Sequence, residues 1–285
     1  MRTAVRVRGA VSENTTIDDA VGGAREVPGV IESLDDSGVA RLTISRPERM
    51  NALDTDVNRR IVEALTSWTA DESVRLVVID GAGGSFSTGA DITSIAHGGG
   101  LDGLGREQAH GIISSGSNLA RALRAVPVPV IASVDGAAAG IGASLALGAD
   151  LIYATARSYF LLAFINIGLM PDGGASMLVA AAVGRARANA MALLGEKLWA
   201  PAAYDAGLVT EVLEDRAALD AKVAAAVDKL AGLSPSAVRL TKSALDAHTM
   251  SGFASALERE LEGQTELLQS PEFRAALAAF TGRRS

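Results

Sequence analysis

The sequence predicts an α/β fold, a core of buried strands alternating with helices, followed by a mainly helical C-terminal part. Three observations carry this. Short apolar runs such as Leu76–Ile79 and Val128–Val134 have the character of strands covered on both faces. Strand, loop and helix recur in that order through the first half of the chain. From Arg185 onward most segments favour helix. The length of 285 residues allows one substantial core, and 48% apolar with 21% charged residues is an ordinary globular balance.

Taken in order, residues 1–28 mix Arg, Ser, Asn, Thr and Gly without periodicity and read as a mobile extension, with order beginning near Val30. Val30–Leu34 and Val39–Ile44 are strands joined by the turn residues Asp35 to Gly38. After the Arg46-Pro47 break, Asp54 or Thr55 caps a helix on which Val57, Ile61, Leu65 and Trp68 recur at helical spacing. Leu76–Ile79 is the next strand, and GAGGSFSTGAD is too glycine-rich to be regular structure. Ile95–Gly105, with three consecutive glycines, reads as a flexible flap. Arg106–Arg124 predicts a helix, Val128–Val134 a strand, Ala143–Leu147 a short helix and Leu151–Ala154 a strand. Helices follow over Arg185–Leu194, Pro201–Ala206, Arg216–Ala231, Pro235–Thr249 and Phe253–Leu268, with Leu208–Leu213 strand-like among them. The division is an extension over 1–28, an α/β core over 29–215 and a helical region over 216–285.

Several chemistries can be set aside. A net charge of −7 gives no bulk attraction for nucleic acid or an anionic membrane, so any anion must be held by a local cluster. The absence of cysteine removes disulfides, thiol nucleophiles and Cys–metal sites, and agrees with a cytoplasmic protein. The N-terminus lacks an apolar core of signal-peptide length. Pro127, Pro129, Asp135 and four glycines interrupt Ala125–Ala149, the nearest approach to a spanning segment. GAAAGIG lacks the acid about 20 residues further on that a dinucleotide fold needs. No GxxxxGK[ST] or GxSxG motif occurs, and His97, His110 and His248 have no metal-like spacing.

The region of interest is Ala125–Gly184, which holds only four charged residues: Asp135, Asp150, Arg157 and Asp172. Too few charges for a surface and too many glycines for plain core mark a place where backbone approaches something closely. Asp135 sits in a turn and Asp150 at the start of a buried strand, and both read as structural. Asp172 lies between Pro171 and a Gly-Gly pair before an alanine-rich helix. It could cap that helix, or carry a proton. Burial raises the pKa of such a group, and helix N–H groups lower it.

RPERMNAL at Arg46–Leu53, GGSFSTGAD at Gly83–Asp91 and the Pro127–Asp150 stretch resemble the crotonase superfamily of enoyl-CoA hydratases and isomerases. IGLMPDGGAS, VGRARA, LLGEKLWAPAAYDAGLV and AAFTG continue the match in order, which covers about Val30 to Gly282. The resemblance implies a crotonase-like spiral of ββα units with a helical C-terminal trimerisation region, assembling as a homotrimer or hexamer. It implies an acyl-CoA substrate, with no other cofactor and no metal. The backbone N–H groups at Ala90 and Ile141, beside Gly89 and Gly140, would bind the thioester oxygen. Fixed donors there stabilise the negative charge that deprotonation beside a thioester creates. CoA would lie along RPERMNAL and SFSTGADI, with Arg49 facing phosphate and Ala52, Leu53, Ser87, Asp91 and Ile92 along its path. Arg283 and Arg284 could add charge, though ordinary solvated arginines are the commoner case. Leu161, Leu162 and Phe164 would form an apolar acyl pocket.

The sequence departs from the hydratases of that superfamily. Their two glutamates would fall at Ser144 and Phe164, and neither residue can replace a carboxylate. FLLAFINIGLMPDGGAS instead resembles the ring-epoxide isomerases of phenylacetate degradation, with Asp172 as the acid–base group. It also resembles chlorobenzoyl-CoA dehalogenases, in which a nearby aspartate is the nucleophile. That chemistry would need a base for water, and only His97 lies near a suitable loop. An acyl-CoA-binding protein without catalysis is the third reading.

Overall fold

The computed structural model describes residues 25–100 and 103–282. The chain enters through an antiparallel meander of β1 (Arg25–Val27), β2 (Gly29–Leu34) and β3 (Val39–Ser45). α1 (Thr55–Ala70) returns it to β4 (Leu76–Gly81), parallel to β3 with Val39 beside Leu76. The Asp54 carboxylate caps α1 by accepting from the Val57 N–H at 2.9 Å. Val57, Ile61, Leu65 and Trp68 all point into the core, as their spacing predicts. α2 (Ile92–Ile95) runs into a wider π-helical turn over Ala96–Gly100, and α3 (Arg106–Ala125) leads to β5 (Val130–Val134).

From there the strands are shared between two sheets. β6 (Ala137–Ala139) is followed by α4 (Ile141–Leu147), β7 (Leu151–Thr155) and β8 (Tyr159–Leu161). α5 (Ala175–Val183) and α6 (Arg185–Leu194) precede β9 (Leu198–Trp199), and α7 (Ala200–Asp205) precedes β10 (Glu211–Leu213). The larger sheet has the order β1-β2-β3-β4-β5-β7-β10, and β6-β8-β9 form the smaller one. Every residue of β5 is buried, as a central parallel strand requires. α8 (Arg216–Ala231), α9 (Pro235–Thr249), α10 (Phe253–Leu267) and α11 (Pro271–Gly282) complete the chain. Among the described residues no helix is long and apolar enough to cross a membrane.

Three expectations need correction. Strand order begins at Arg25, inside the segment read as an extension, because β1 pairs with the free edge of β2. Residues 1–24 lie outside the described residues, as do Arg283 and Arg284. The described part of the Ile95–Gly105 flap is helical to Gly100 and anchored by the buried side chains of Ala96 and Leu104. Gly100 packs on α11, where an added Cβ would fall 3.0 Å from Leu277 Cδ2. That helix is the third correction: the sequence places Pro271–Gly282 within the helical region over 216–285 but names no helix there, and it buries Phe273 and Leu277. The structural readings of Asp135 and Asp150 hold, and the strand expected over Leu208–Leu213 is confined to Glu211–Leu213. Asp135 is held by Arg157 Nε and Nη2 at 2.8 and 2.6 Å, and Asp150 accepts from the Val130 N–H at 2.8 Å.

Candidate active site

The smaller sheet places two backbone donors side by side. Ser87 bridges Ala138 in parallel register, its N–H donating to Ala137 O at 3.0 Å while Ala139 N–H donates to Ser87 O at 2.9 Å. Two residues further along both segments, the register brings Gly89 next to Gly140. Gly89 has φ +91°, and an added Cβ would lie 2.8 Å from Ala139 O and 3.3 Å from Ile141 N. Only glycine permits that conformation and that approach. Both turns therefore present their next amides, Ala90 and Ile141, to the same space. Ile141 is the first residue of α4, where helix geometry leaves its N–H without an intrahelical acceptor. Among the described residues neither N–H has a backbone acceptor.

The two segments are braced by Asn51, which is fully buried in the left-handed region at φ +57°. Its Nδ2 donates to Ala82 O and Ser85 O at 2.8 and 2.7 Å, and its Oδ1 accepts from Arg46 N–H at 2.8 Å. Asparagine tolerates this backbone better than other side chains because its short amide bonds locally. Arg46 adds a bond to Ala52 O at 2.7 Å and ion pairs with Asp54 and Asp91 at 3.0 and 3.3 Å. RPERMNAL is thereby a rigid brace under GGSFSTGAD.

Beside this brace lies a cavity of about 1350 Å³. It exceeds the roughly 300–1,000 Å³ of a small-ligand pocket and suits an extended molecule. Ala90, Gly140 and Ile141 line it, and so do Asp172 and Phe164. Arg49, Ala52, Leu53, Asp91 and Ile92 also reach it. Four expected residues do not: Ser87, Gly89, Leu162 and Leu161, the last residue of β8. Ser87 is fully buried, donating to Asn51 O at 2.8 Å and accepting from Gly89 N–H at 3.2 Å, so it braces the turn. Gly89 shapes the turn without forming the wall, and Leu162 is fully buried in the core. Burial pushes the Asp91 carboxyl up, but the Thr93 hydroxyl with Arg46 and Arg49 outweighs it and holds the group below its ordinary value.

Asp172 is a different kind of carboxylate. It is 8% exposed, and burial pushes its pKa up to about 7 against the bond from Gln264, with the charge of Glu260 adding to the rise. Oδ2 accepts from Gln264 Nε2 at 3.1 Å, while among the described residues Oδ1 has no hydrogen-bond partner. The side chain does not cap α5. Glu260 of α10 does so instead, accepting from Gly174 N–H at 2.7 Å and Ser176 N–H at 3.0 Å. The helix amides that would have lowered the Asp172 pKa are thus already taken. Ser144, at the first missing glutamate, donates to the Asp172 carbonyl at 2.7 Å and is scaffold. Gly173, at φ +66°, brings this loop against the Gly140–Ile141 turn, where an added Cβ would lie 2.4 Å from Ile141 Cδ1.

Glu260 and Gln264 had no part in the sequence reading. A signal for them existed: they lie four residues apart on the stripe of α10 that carries Phe253, Ala256 and Leu257. Polar residues on a buried stripe ask for partners. Met170 N–H donates to Gln264 Oε1 at 3.2 Å, which turns the amide nitrogen toward Asp172. Among the described residues no cluster of His, Cys, Asp or Glu could hold a metal, and the His97 side chain lies outside them.

The family model for enoyl-CoA hydratase/isomerase matches residues 35–285. The chain belongs to the enoyl-CoA hydratase/isomerase family. It is 32% identical over 252 residues to 1,2-epoxyphenylacetyl-CoA isomerase of Escherichia coli, covering 88% of this chain and 94% of that protein. A probable enoyl-CoA hydratase of Rhodobacter capsulatus is 36% identical over 248 residues, covering 87% and 93%. The crystal structure of an enoyl-CoA hydratase from Mycobacterium avium subsp. paratuberculosis superposes with a TM-score of 0.80 at 42% identity, covering 90% of this chain and 97% of that one. The crotonase fold expected from the motifs is the fold observed. The names of these relatives divide between a CoA-thioester isomerase and an enoyl-CoA hydratase.

Proposed function

We propose that this chain is an acyl-CoA isomerase acting on an enoyl or ring-epoxide thioester, with Ala90 and Ile141 as oxyanion donors and Asp172 as the acid–base group. One observation carries the reading. Among the described residues, Asp172 is the buried carboxylate of the cavity wall without a cation partner, and it sits beside two unpaired amides. With the thioester oxygen between the Ala90 and Ile141 N–H groups, ionised Asp172 takes a proton from the carbon next to the carbonyl. The electron pair moves onto the thioester oxygen as an enolate, and Asp172 returns the proton to the γ-carbon as the double bond shifts. Each oxyanion donor is worth about 3–4 kcal/mol, and the positioned base roughly 10²–10⁴-fold. A pKa near 7 lets one group both take and return the proton.

Hydration by two carboxylates has no residues to perform it, since Ser144 is tied to backbone and Phe164 is apolar. Arg49, at the wall beside Ala52 and Leu53, is the cation for the CoA phosphates. The reading is tested by incubating aliphatic and aryl CoA thioesters with the protein and following products by NMR. Double-bond or ring isomerisation without water addition is expected. Hydration as the dominant reaction across the panel would overturn it.

Subunit assembly belongs to the same reading. α9 buries no residue in the isolated chain and exposes Leu240 and Leu245 at 71% and 62%. An apolar helix face so placed fits a contact between copies, in a trimer or a dimer of trimers.

A further inference from the structure

The cavity wall formed by α1 and α3 holds a polar pair with unspent hydrogen-bonding capacity. Asn58, 8% exposed, donates from Nδ2 to Ser115 Oγ at 2.6 Å, and among the described residues its Oδ1 has no partner. Both residues line the cavity, next to the apolar Ile112. Together the amide and the hydroxyl carry three hydrogens, and the bond between them uses one, whichever way the amide is turned. Two donors and at least one acceptor are left over. A buried polar group without a partner is costly, so such a pair is retained where something completes it.

The neighbours of the pair fix its place in the cavity. Gly116, the neighbour of Ser115, faces the oxyanion turn, and a Cβ there would lie 3.5 Å from Ile141 Cδ1. The stretch of α3 that carries Ser115 thus borders the Ile141 turn, and the pair faces the cavity that this turn lines. We propose that Asn58 and Ser115 form an oxygen-recognition subsite, and that the acyl group taken by this chain carries a hydroxyl, carbonyl or ether oxygen beyond the thioester. The inference rests on the acyl-CoA reading of the cavity and names the class of acyl group it selects. A hydroxyl fits the pair best, since it can accept from Ser115 and donate to Asn58. A site built to bond a substrate oxygen discriminates strongly against the analogue that lacks it.

The test uses S-(2-oxoalkyl)-CoA thioethers, which keep the carbonyl and cannot transfer the acyl group. One has a plain chain, and the others carry one hydroxyl at successive positions. Binding to the full chain is measured by calorimetry for wild type, Ser115→Ala, Asn58→Leu and Ser115→Thr. At least one hydroxylated analogue should bind wild type about tenfold or more tighter than the plain chain. That advantage should collapse in Ser115→Ala and Asn58→Leu and survive in Ser115→Thr, which keeps the hydroxyl. Equal binding of plain and hydroxylated analogues to wild type overturns the subsite and leaves the acyl-CoA reading standing. An advantage that survives both Ser115→Ala and Asn58→Leu overturns it as well. Failure of every analogue to bind wild type removes the acyl-CoA reading itself and the subsite with it.

Discussion

Asp172 carries opposite demands at neutral pH, since burial favours its neutral form and the proposed chemistry needs the ionised one. With a folded pKa near 7 against an ordinary 3.8, the unfolded chain gives up the proton first as pH rises. The stability associated with neutral Asp172 is full below about pH 4 and lost by about pH 7, a difference on the order of 4 kcal/mol. Asp172→Asn should therefore melt higher than wild type at pH 8 and close to it at pH 4, as read by calorimetry at both pH values. Gln264 acts on the same balance through its bond to Oδ2. Gln264→Leu withdraws a donor from the ionised form, so the acidic limb of the kcat profile should move up by about one pH unit, with KM changed little. A limb that stays in place would show Gln264 to be packing alone. At this scale the sequence was partly legible. The absence of acids at 144 and 164 and the isolation of Asp172 need no coordinates to see. Gln264 and Glu260 lie some 90 residues away in sequence, and only tertiary packing shows that they face this loop.

Among the elements, the two glycine-rich turns depend on the brace beneath them. Asn51 supplies three bonds that no apolar side chain can replace, and its removal takes the amide partner from the part-buried carbonyls of Ala82 and Ser85 and from the Arg46 N–H. Asn51→Ala should cost about 2–4 kcal/mol in urea unfolding and lower kcat through loss of the Ala90 position. Gly89→Ala should strain the turn by roughly 1–3 kcal/mol and act more on kcat than on KM. The long elements were legible because periodicity survives over several turns, as on α1. β6, β8 and β9 were not, having two or three residues each and being held by register rather than pattern. α11 was not named as a helix because its alanines give a weak stripe, and its two anchors, Phe273 and Leu277, declare themselves only once the turn over Ala163–Ile167 and the flap are in place.

In the molecule as a whole, the sharing of strands between two sheets brings Gly89, Gly140 and Gly173 together, from three separate stretches of chain. α10 and α11 then close the cavity with Gln264, Leu268 and Phe280 of the same chain. α9 is tied down differently, by Lys242 to Asp150 at 2.5 Å and to Val128 O at 3.0 Å, with its leucines left outside. The double variant Leu240→Glu with Leu245→Glu should shift the sedimentation coefficient to that of a smaller species while the melting transition stays cooperative. The crotonase motifs made the spiral legible in advance, whereas the proposed subunit contact rests on which helix face the packing leaves bare.

The central claim is that Asp172 moves the proton while the Ala90 and Ile141 amides hold the enolate. Its most direct test is exchange of the α-hydrogen of a bound saturated acyl-CoA with deuterated solvent, followed by NMR across pH in wild type and Asp172→Asn. The expected result is exchange that rises to half its plateau near pH 7 in wild type, and a loss of at least about 10²-fold in Asp172→Asn with thioester binding retained. Exchange in Asp172→Asn at the wild-type rate would contradict the account.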